Sequence, residues 1–513
     1  FNKKGFNIRS RGSYLQADAA NNSEFLRHYT TATQAIGGFK VGGYLEQERI
    51  LFYRESSDSL QNSSFDRIIW KAFVEKGDSS EANLYRLGYS EIYDYYPQGT
   101  NLAYAMKSEN FDLDFSLSKN PRSRLSGKFG YRRLMIQRDE LTTEDPENTL
   151  LGRLEYDAKI LKGLISSNTF YQIGSGQELR REFSFLEVND GQGTHLWNDY
   201  NDNGVKELNE FEVAGANNQF QANYIKVFTP TNEYIRVYSN QFNQVLFLRP
   251  NALLSGEKGW GKLLGKFSNK SAYRAERKTQ LAEDIYNPLN TDVNDSSLIS
   301  INSSFTNTLY FNRLSSKFGM EYFYLSNKSK NLLTNGFESR QILQHELRGR
   351  YNLSRVLSIE NRLSLSERST GSEFFENRNY NIESREVEPE IIYQPSVKFR
   401  ISASIVYAER QNLLGDEYAY NRTAATELRF NEAGKGSFSL NLQYIDIAFN
   451  GSQNNSLGFE MLDGLSPGGN ITWNVVWQRN LSNSLQLNLN YGGRKSEDLR
   501  TIHTGGMQLR AFF

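Results

Sequence analysis

The chain closes on Met507-Gln508-Leu509-Arg510-Ala511-Phe512-Phe513. Counted back in twos from Phe513, the residues Ala511, Leu509, Met507 and Gly505 fall on one face, and Phe512, Arg510, Gln508 and Gly506 on the other. Successive side chains of a strand point to opposite faces. The stretch therefore predicts a strand with one mostly apolar face and an aromatic carboxyl end. The same period of two recurs upstream. Leu485, Leu487, Leu489 and Tyr491 alternate with Gln486, Asn488 and Asn490. Ile471, Trp473, Val475 and Trp477 alternate with Thr472, Asn474 and Gln478. Val397, Phe399, Ile401, Ala403, Ile405 and Tyr407 alternate with Lys398, Arg400, Ser402 and Ser404. Leu357, Ile359, Leu363 and Leu365 alternate with Ser358, Glu360, Arg362 and Ser364, and Phe111, Leu113, Phe115 and Leu117 with Asp112, Asp114 and Ser116.

A soluble β-sandwich shows the same alternation, with strands of about 5–6 residues. These segments run nearer ten, the length a tilted strand needs to cross a bilayer. The ending resembles the closing strand of bacterial outer-membrane β-barrels. That resemblance implies an insertion signal on Met507, Leu509, Ala511 and Phe513, read by the barrel-insertion machinery.

A soluble chain of 513 residues would divide into several domains. No Pro/Ser-rich linker or shift of composition divides this one. Its one marked interruption is an acidic, Asn-rich insert near 190–215. Mean hydropathy is −0.63, and no run of eighteen apolar residues exists, which excludes helical spans and leaves a half-apolar barrel wall open. Phe, Tyr and Trp make up 13% of the chain, as interfacial girdles require. Lys plus Arg and Asp plus Glu number 59 each, so bulk charge gives no argument for nucleic acid, and no basic stripe with interleaved aromatics is present. The absence of cysteine excludes disulfides and thiolate metal sites. The sequence begins Phe1-Asn2-Lys3-Lys4 without an initiator Met. A barrel must first cross the inner membrane, so a removed signal is expected, with more protein ahead of Phe1.

In the usual barrel topology the last strand ends in the periplasm, and short turns alternate with long outer loops. Short connections are expected near Gln478–Asn483, Asn431–Lys435, Gln394–Ser396, Asn352–Ser354, Asn312–Ser315, Ala252–Gly261, Leu161–Gly163 and Lys119–Arg122. Long ones are expected near 495–501, 449–468, 410–417, 369–382, 326–337, 277–297 and 139–149. With a hairpin at Gly174–Gln177, about six strands are expected between 99 and 187, fourteen between 234 and 513, and three or four amphipathic segments within 36–93. The fold class is all-β: a transmembrane antiparallel β-barrel of about 22–26 strands over residues 36–513. Residues 1–35 are a strand, a plug segment or a linker. The polar face carries Asn, Gln, Ser, Arg, Lys and Glu, and a barrel this wide cannot fill its lumen with side chains. The lumen then holds water, a plug or a partner.

The insert contains Asp199-Tyr200-Asn201-Asp202-Asn203-Gly204-Val205-Lys206-Glu207-Leu208-Asn209-Glu210, which matches the twelve-residue EF-hand pattern at every defined position. Calcium takes six to eight oxygens. Asp199, Asn201 and Asn203 would supply side-chain oxygens, Val205 its carbonyl, Glu207 a direct or water-mediated contact, and Glu210 a closing carboxylate. Gly204 permits the sharp turn. The flank His195-Leu196-Trp197 is extended rather than helical, so the site is expected to stiffen the insert rather than to switch. If Gly174–Gln177 is an outer hairpin, the loop faces the periplasm; otherwise it faces outward.

The surrounding segments, Gly174-Ser175-Gly176-Gln177-Glu178, Arg181-Glu182-Phe183-Ser184 and Tyr224 through Ile235, resemble large, mostly uncharacterised outer-membrane proteins of the Bacteroidota. They are also similar to that phylum's gliding and type 9 secretion translocon barrels. The resemblance implies an outer-membrane location and membership of a multi-protein envelope complex, and it carries no catalytic residue.

Barrel enzymes place a histidine beside a nucleophile or a carboxylate. His28, His195, His345 and His503 are far apart in sequence, and no phosphate loop, dinucleotide fingerprint or nucleophile elbow is present. The expectation is therefore a non-enzymatic pore for transport or translocation, embedded in outer-membrane lipid. The alternative is a non-conducting scaffold or accessory subunit for protein secretion, barrel assembly or surface-lipoprotein handling. Balanced charge tilts slightly toward the second.

Overall fold

The computed structural model describes all residues except 1, 4, 18–21, 55–56, 78–82, 145, 257, 283–285, 293–296, 335, 374, 483, 498 and 512–513. Phe513 of the closing motif thus lies outside the described residues. The chain is all-β and antiparallel, with 26 strand segments among the described residues. Among the described residues, twenty-two of these run ten residues or more, inside the expected range. Each long strand pairs with its neighbour in sequence, the succession of an up-and-down barrel wall. Among the described residues, no helix is long and apolar enough to cross a membrane.

The chain divides into two compact units, residues 1–177 with 236–245 and 276–288, and residues 178–235 with 246–275 and 289–513. In the first, the strands Phe6–Ala17, Ser23–Ile36, Phe39–Arg54, Phe65–Lys76, Asn83–Gln98, Asn101–Asn120, Ser123–Ile136 and Glu147–Ile160 form a continuous meander. A two-residue turn joins Ile36 to Phe39. Gly37 and Gly38 sit at φ 55° and 82°, the left-handed pair that a two-residue hairpin turn demands. The first 35 residues, where described, hold the short strand Asn2–Lys3 and the first two of these strands.

In the second unit the meander runs from Leu298–Phe311 through Phe318–Leu333, Gly336–Asn352, Leu357–Ser372, Tyr380–Tyr393, Phe399–Asn412, Tyr418–Glu432, Gly436–Phe449, Gly468–Ser482 and Leu485–Ser496 to Ile502–Ala511. The two faces differ as the period of two requires. Leu363, Leu365, Val387, Ile391, Ile405, Tyr407, Leu442, Tyr444, Met507 and Leu509 are exposed, and the strand registers put them on one face. Ser, Asn, Arg and Glu occupy the other.

Several local expectations differ. Gly174–Gln177 is no hairpin: Ile165–Glu187 is one uninterrupted strand. Neither Gly174 nor Gly176 adopts a positive φ, and Ser239 Oγ bonds the Gly174 carbonyl across the sheet at 3.4 Å. Four long strands, not six, therefore lie between 99 and 187, and thirteen rather than fourteen between 234 and 513. The long connection expected at 326–337 is strand almost throughout, with Leu333 paired to Gly336. Its Ser-Asn-Lys-Ser-Lys-Asn run is polar on both faces, so alternation could not reveal it. The turn expected at Ala252–Gly261 is a longer excursion bearing two short helices, Asn251–Leu254 and Trp260–Leu264.

Candidate functional site

The polar face of the second unit carries a ladder of opposite charges. Register places Arg348 opposite both Glu321 and Arg362, and Arg362 opposite Glu388. The Arg348 guanidinium meets Glu321 at 3.3 Å and Glu346 at 2.9 Å. Arg362 meets Glu386 at 2.9 Å, contacts Glu388, and reaches Glu346 at 4.0 Å. Arg400 faces Glu390 at 3.8 Å, and Arg429 pairs with Glu427 at 2.6 Å. Opposite charges directly across a sheet stabilise it modestly. Glu346 is buried and tolerates burial because two arginines meet it.

One end of this wall is covered. The connection between Gly436–Phe449 and Gly468–Ser482 folds back over the polar face instead of projecting away. It contains the helix Ser456–Met461, whose first turn is capped by Asn455 Oδ1 accepting from the Gly458 N–H at 2.7 Å. Gly458 is required there, because a Cβ would collide with the Ser452 carbonyl oxygen. Met461 and Leu462 are fully buried, and Met461 packs with Tyr380, Ile382 and Ala419. Arginines spread along the wall hold the connection. Glu460 meets the Arg368 guanidinium at 2.9 Å and that of Arg340 at 3.5 Å. Arg410 donates to the Met461 carbonyl at 2.8 Å and to Asp463 at 2.7 Å. Arg494 donates to the Gly464 carbonyl at 2.8 Å.

The insert joins the same cover. It spans from the end of Ile165–Glu187 to the start of Tyr224–Leu248. Phe183 clusters with Leu333 and Phe375, and the Thr334 N–H donates to the Arg181 carbonyl at 3.2 Å. The insert therefore lies at the end where residues 373–379 and 450–467 connect strands. Phe211 is buried, stacked on Phe185 at 4.1 Å between ring centroids. Arg378 donates to the Phe211 carbonyl at 2.7 Å and lies over the Phe375 ring at 4.3 Å. Burial lowers its pKa from the ordinary arginine value. Gly215 lies close against the Gln453 carbonyl, and Arg494 donates to the Gln219 side chain. The insert and the 450–467 connection are thus one continuous cap.

Within the insert, the short strands His195–Trp197 and Phe211–Val213 pair and flank the twelve-residue loop. Asp199 accepts from the N–H groups of Asn203 at 3.1 Å and Gly204 at 2.7 Å. Asn201 accepts from the Asn203 N–H at 3.1 Å and Asn203 from the Val205 N–H at 2.6 Å. Gly204 takes φ 69°. Glu207 and Glu210 cap each other's backbone, and the fully buried Glu210 also accepts from Trp197 Nε1 at 2.8 Å. The donors are all oxygen, which suits calcium in kind. Among the described residues, no three His, Cys, Asp or Glu side chains converge as a ready metal cluster; the loop is held by its own hydrogen bonds.

The histidines stay apart. His345 Nδ1 lies 2.7 Å from the Tyr322 hydroxyl and His503 Nδ1 2.9 Å from that of Tyr491, both pairs on the apolar face by register. His28 lies against the Ser10 and Thr30 hydroxyls. His195 packs on Phe185 at 5.0 Å; burial first, then Arg378 and Lys226, depress its pKa to about 4. No carboxylate hydrogen-bonds any of the four among the described residues. Sequence alternation exposed the wall but not the cap, whose contacts join segments 30 to 275 residues apart.

No family model matches the chain, and no curated protein does. Among solved structures it is similar to the FrpB iron transporter from Neisseria meningitidis (F5-1 variant), at 9% identity and a TM-score of 0.37, over 99% of this chain and 82% of that one. It is similar to the ferric-catecholate import receptor Fiu from E. coli K12 in its open form, at 10% identity and a TM-score of 0.33, over 96% and 77%. It is also similar to the copper transporter OprC, at 11% identity and a TM-score of 0.35, over 98% and 79%.

Proposed function

We propose that this chain is an outer-membrane β-barrel whose charged face lines a path across the membrane, with the cap of residues 188–223, 373–379 and 450–467 controlling access from the outer side. The observation that carries this reading is the opposition of the two faces. An exposed apolar face of this extent needs a non-aqueous neighbour, which bilayer lipid supplies, while the opposite face keeps its ion pairs in water. The cap sits on the polar face alone, where a path would run. Liposome swelling with sugars of graded size tests it. Size-dependent swelling supports a pore, and none at any size from folded protein removes the claim.

Calcium belongs to the same reading. Asp199, Asn201, Asn203, the Val205 carbonyl, Glu207 and Glu210 would hold the ion, and its role would be to stiffen the insert within the cap.

A second reading is a non-conducting subunit of an envelope assembly, of the secretion type that the Bacteroidota resemblance implies. The cap favours it, because a path covered at one end is also what a scaffold presents. Partner proteins retained through purification in mild detergent, together with absence of swelling, would favour it over transport.

A further inference from the structure

At the opposite, short-connection end of the second unit lies a cavity of about 690 Å³. It is bounded by the excursion from Arg249 to Lys266, with its two short helices, and by the start of the connection after Phe311. Its wall includes Phe247, Arg249, Lys266, Lys270, Tyr310 and Arg313, with Leu314 at the rim, and no Asp or Glu among the described residues.

This charge pattern departs from the rest of the polar face. There, arginines such as Arg348 and Arg362 each meet two or more carboxylates. Among the described residues, none of the four cations of the cavity has a carboxylate partner. They lie against rings instead. Arg249 and Lys270 approach the Phe247 ring at 5.2 and 5.7 Å, Lys266 the Phe311 ring at 6.0 Å, and Arg313 the Tyr310 ring at 4.4 Å. Glu257, the one acid of the excursion, lies outside the described residues. Four uncompensated cations around one cavity repel one another, and an anion bound among them removes that repulsion. Arg and Lys donors suit phosphate or carboxylate oxygens. Phe247 and Leu314, the latter 90% exposed, offer apolar surface beside them, the usual mixture of a small-molecule pocket.

We propose that this cavity binds an amphiphilic anion, a phosphate or carboxylate head bearing an alkyl or aryl group, with the head among Arg249, Lys266, Lys270 and Arg313 and the apolar part against Phe247 and Leu314. The proposal does not depend on whether the chain conducts. The ligand has two sources, a phospholipid of the adjoining leaflet or a soluble organic anion, and both share this chemistry.

The test is calorimetric titration of the purified full chain in a neutral detergent with four probes: dihexanoyl phosphatidylglycerol, hexyl phosphate, inorganic phosphate and dihexanoyl phosphatidylcholine. One equivalent of phosphatidylglycerol or hexyl phosphate should bind at least tenfold more tightly than the other two. Tighter phosphatidylglycerol assigns the site to lipid, and tighter hexyl phosphate to a soluble anion. The double variant Lys270→Gln/Arg313→Gln should lose at least tenfold, and Glu257→Gln should bind at least as tightly as the parent. Retained heat-modifiable migration shows that each variant is folded. Equal affinity in the parent and the double variant, inorganic phosphate binding as tightly as hexyl phosphate, or no binding of any probe would overturn the proposal.

Discussion

Glu460 Oε1 lies 2.9 Å from the Arg368 guanidinium, pinning the helix of the 450–467 connection to the polar face of a strand ninety-two positions earlier in the sequence. With that contact, and with Arg340, Arg410 and Arg494, the connection covers the wall.

The apolar side of the cover should dominate its stability. Met461 is fully buried among Tyr380, Ile382 and Ala419. Met461→Ala should destabilise the cap locally by about 2–4 kcal/mol, the range for a large-to-alanine change in a packed site. Limited proteolysis should then cut within 450–467 while the strands stay protected. An unchanged cleavage pattern would mean that the connection is held by its arginines alone.

Calcium should protect residues 194–214 from protease, and Asp199→Ala should abolish the protection. Asp199 accepts from two backbone N–H groups, so the variant also loosens the loop without metal. The informative quantity is the difference made by calcium in each protein. Equal cleavage of the parent with calcium and with chelator would show that the loop is self-sufficient.

His195 makes the insert acid-sensitive. Its pKa falls to about 4 through burial and the nearby positive charges of Arg378 and Lys226, against roughly 6.5 when unfolded. The folded insert thus holds a neutral imidazole where the unfolded one takes up a proton. Its stability is full above about pH 6.5 and is lost as pH falls through about 4. Protease sensitivity of residues 190–215 should rise over that window, and His195→Gln should flatten the rise. The same pH profile in both proteins would exclude His195 as its source.

The two faces can be separated by one residue. Ile405 is exposed on the apolar face, and Ser404 lies on the polar face opposite Glu390. Ile405→Arg should cost roughly 2–4 kcal/mol if it meets the lipid midplane. Ser404→Arg should be tolerated, since it gains an acidic neighbour. Urea unfolding from lipid vesicles measures both, and comparable costs would contradict a lipid-facing wall.

Much of the wall was legible in the sequence because alternation is local. Leu363 and Leu365 against Arg362 and Ser364 need only their own strand to reveal two faces. The closing Met507, Leu509 and Ala511 share a face by the same logic. What was illegible depends on distant partners or on polarity shared by both faces. The strand through Ser326–Asn331 alternates nothing apolar. Gly174 and Gly176 look like a turn, yet their φ values are those of a strand. The burial of Met461 follows from Tyr380, Ile382 and Ala419, which no local pattern joins to it. The twelve-residue loop was visible, but its seat on Phe185 and Arg378 was not.

Single-channel conductance in planar bilayers, comparing the parent chain with Glu460→Arg, tests the gated path most directly. The substitution sets a positive charge against Arg340 and Arg368 and should drive the connection off the wall. The account predicts small or rare openings for the parent and large, steady steps for the variant. Silence from both proteins, each shown to be folded by heat-modifiable migration, would contradict it.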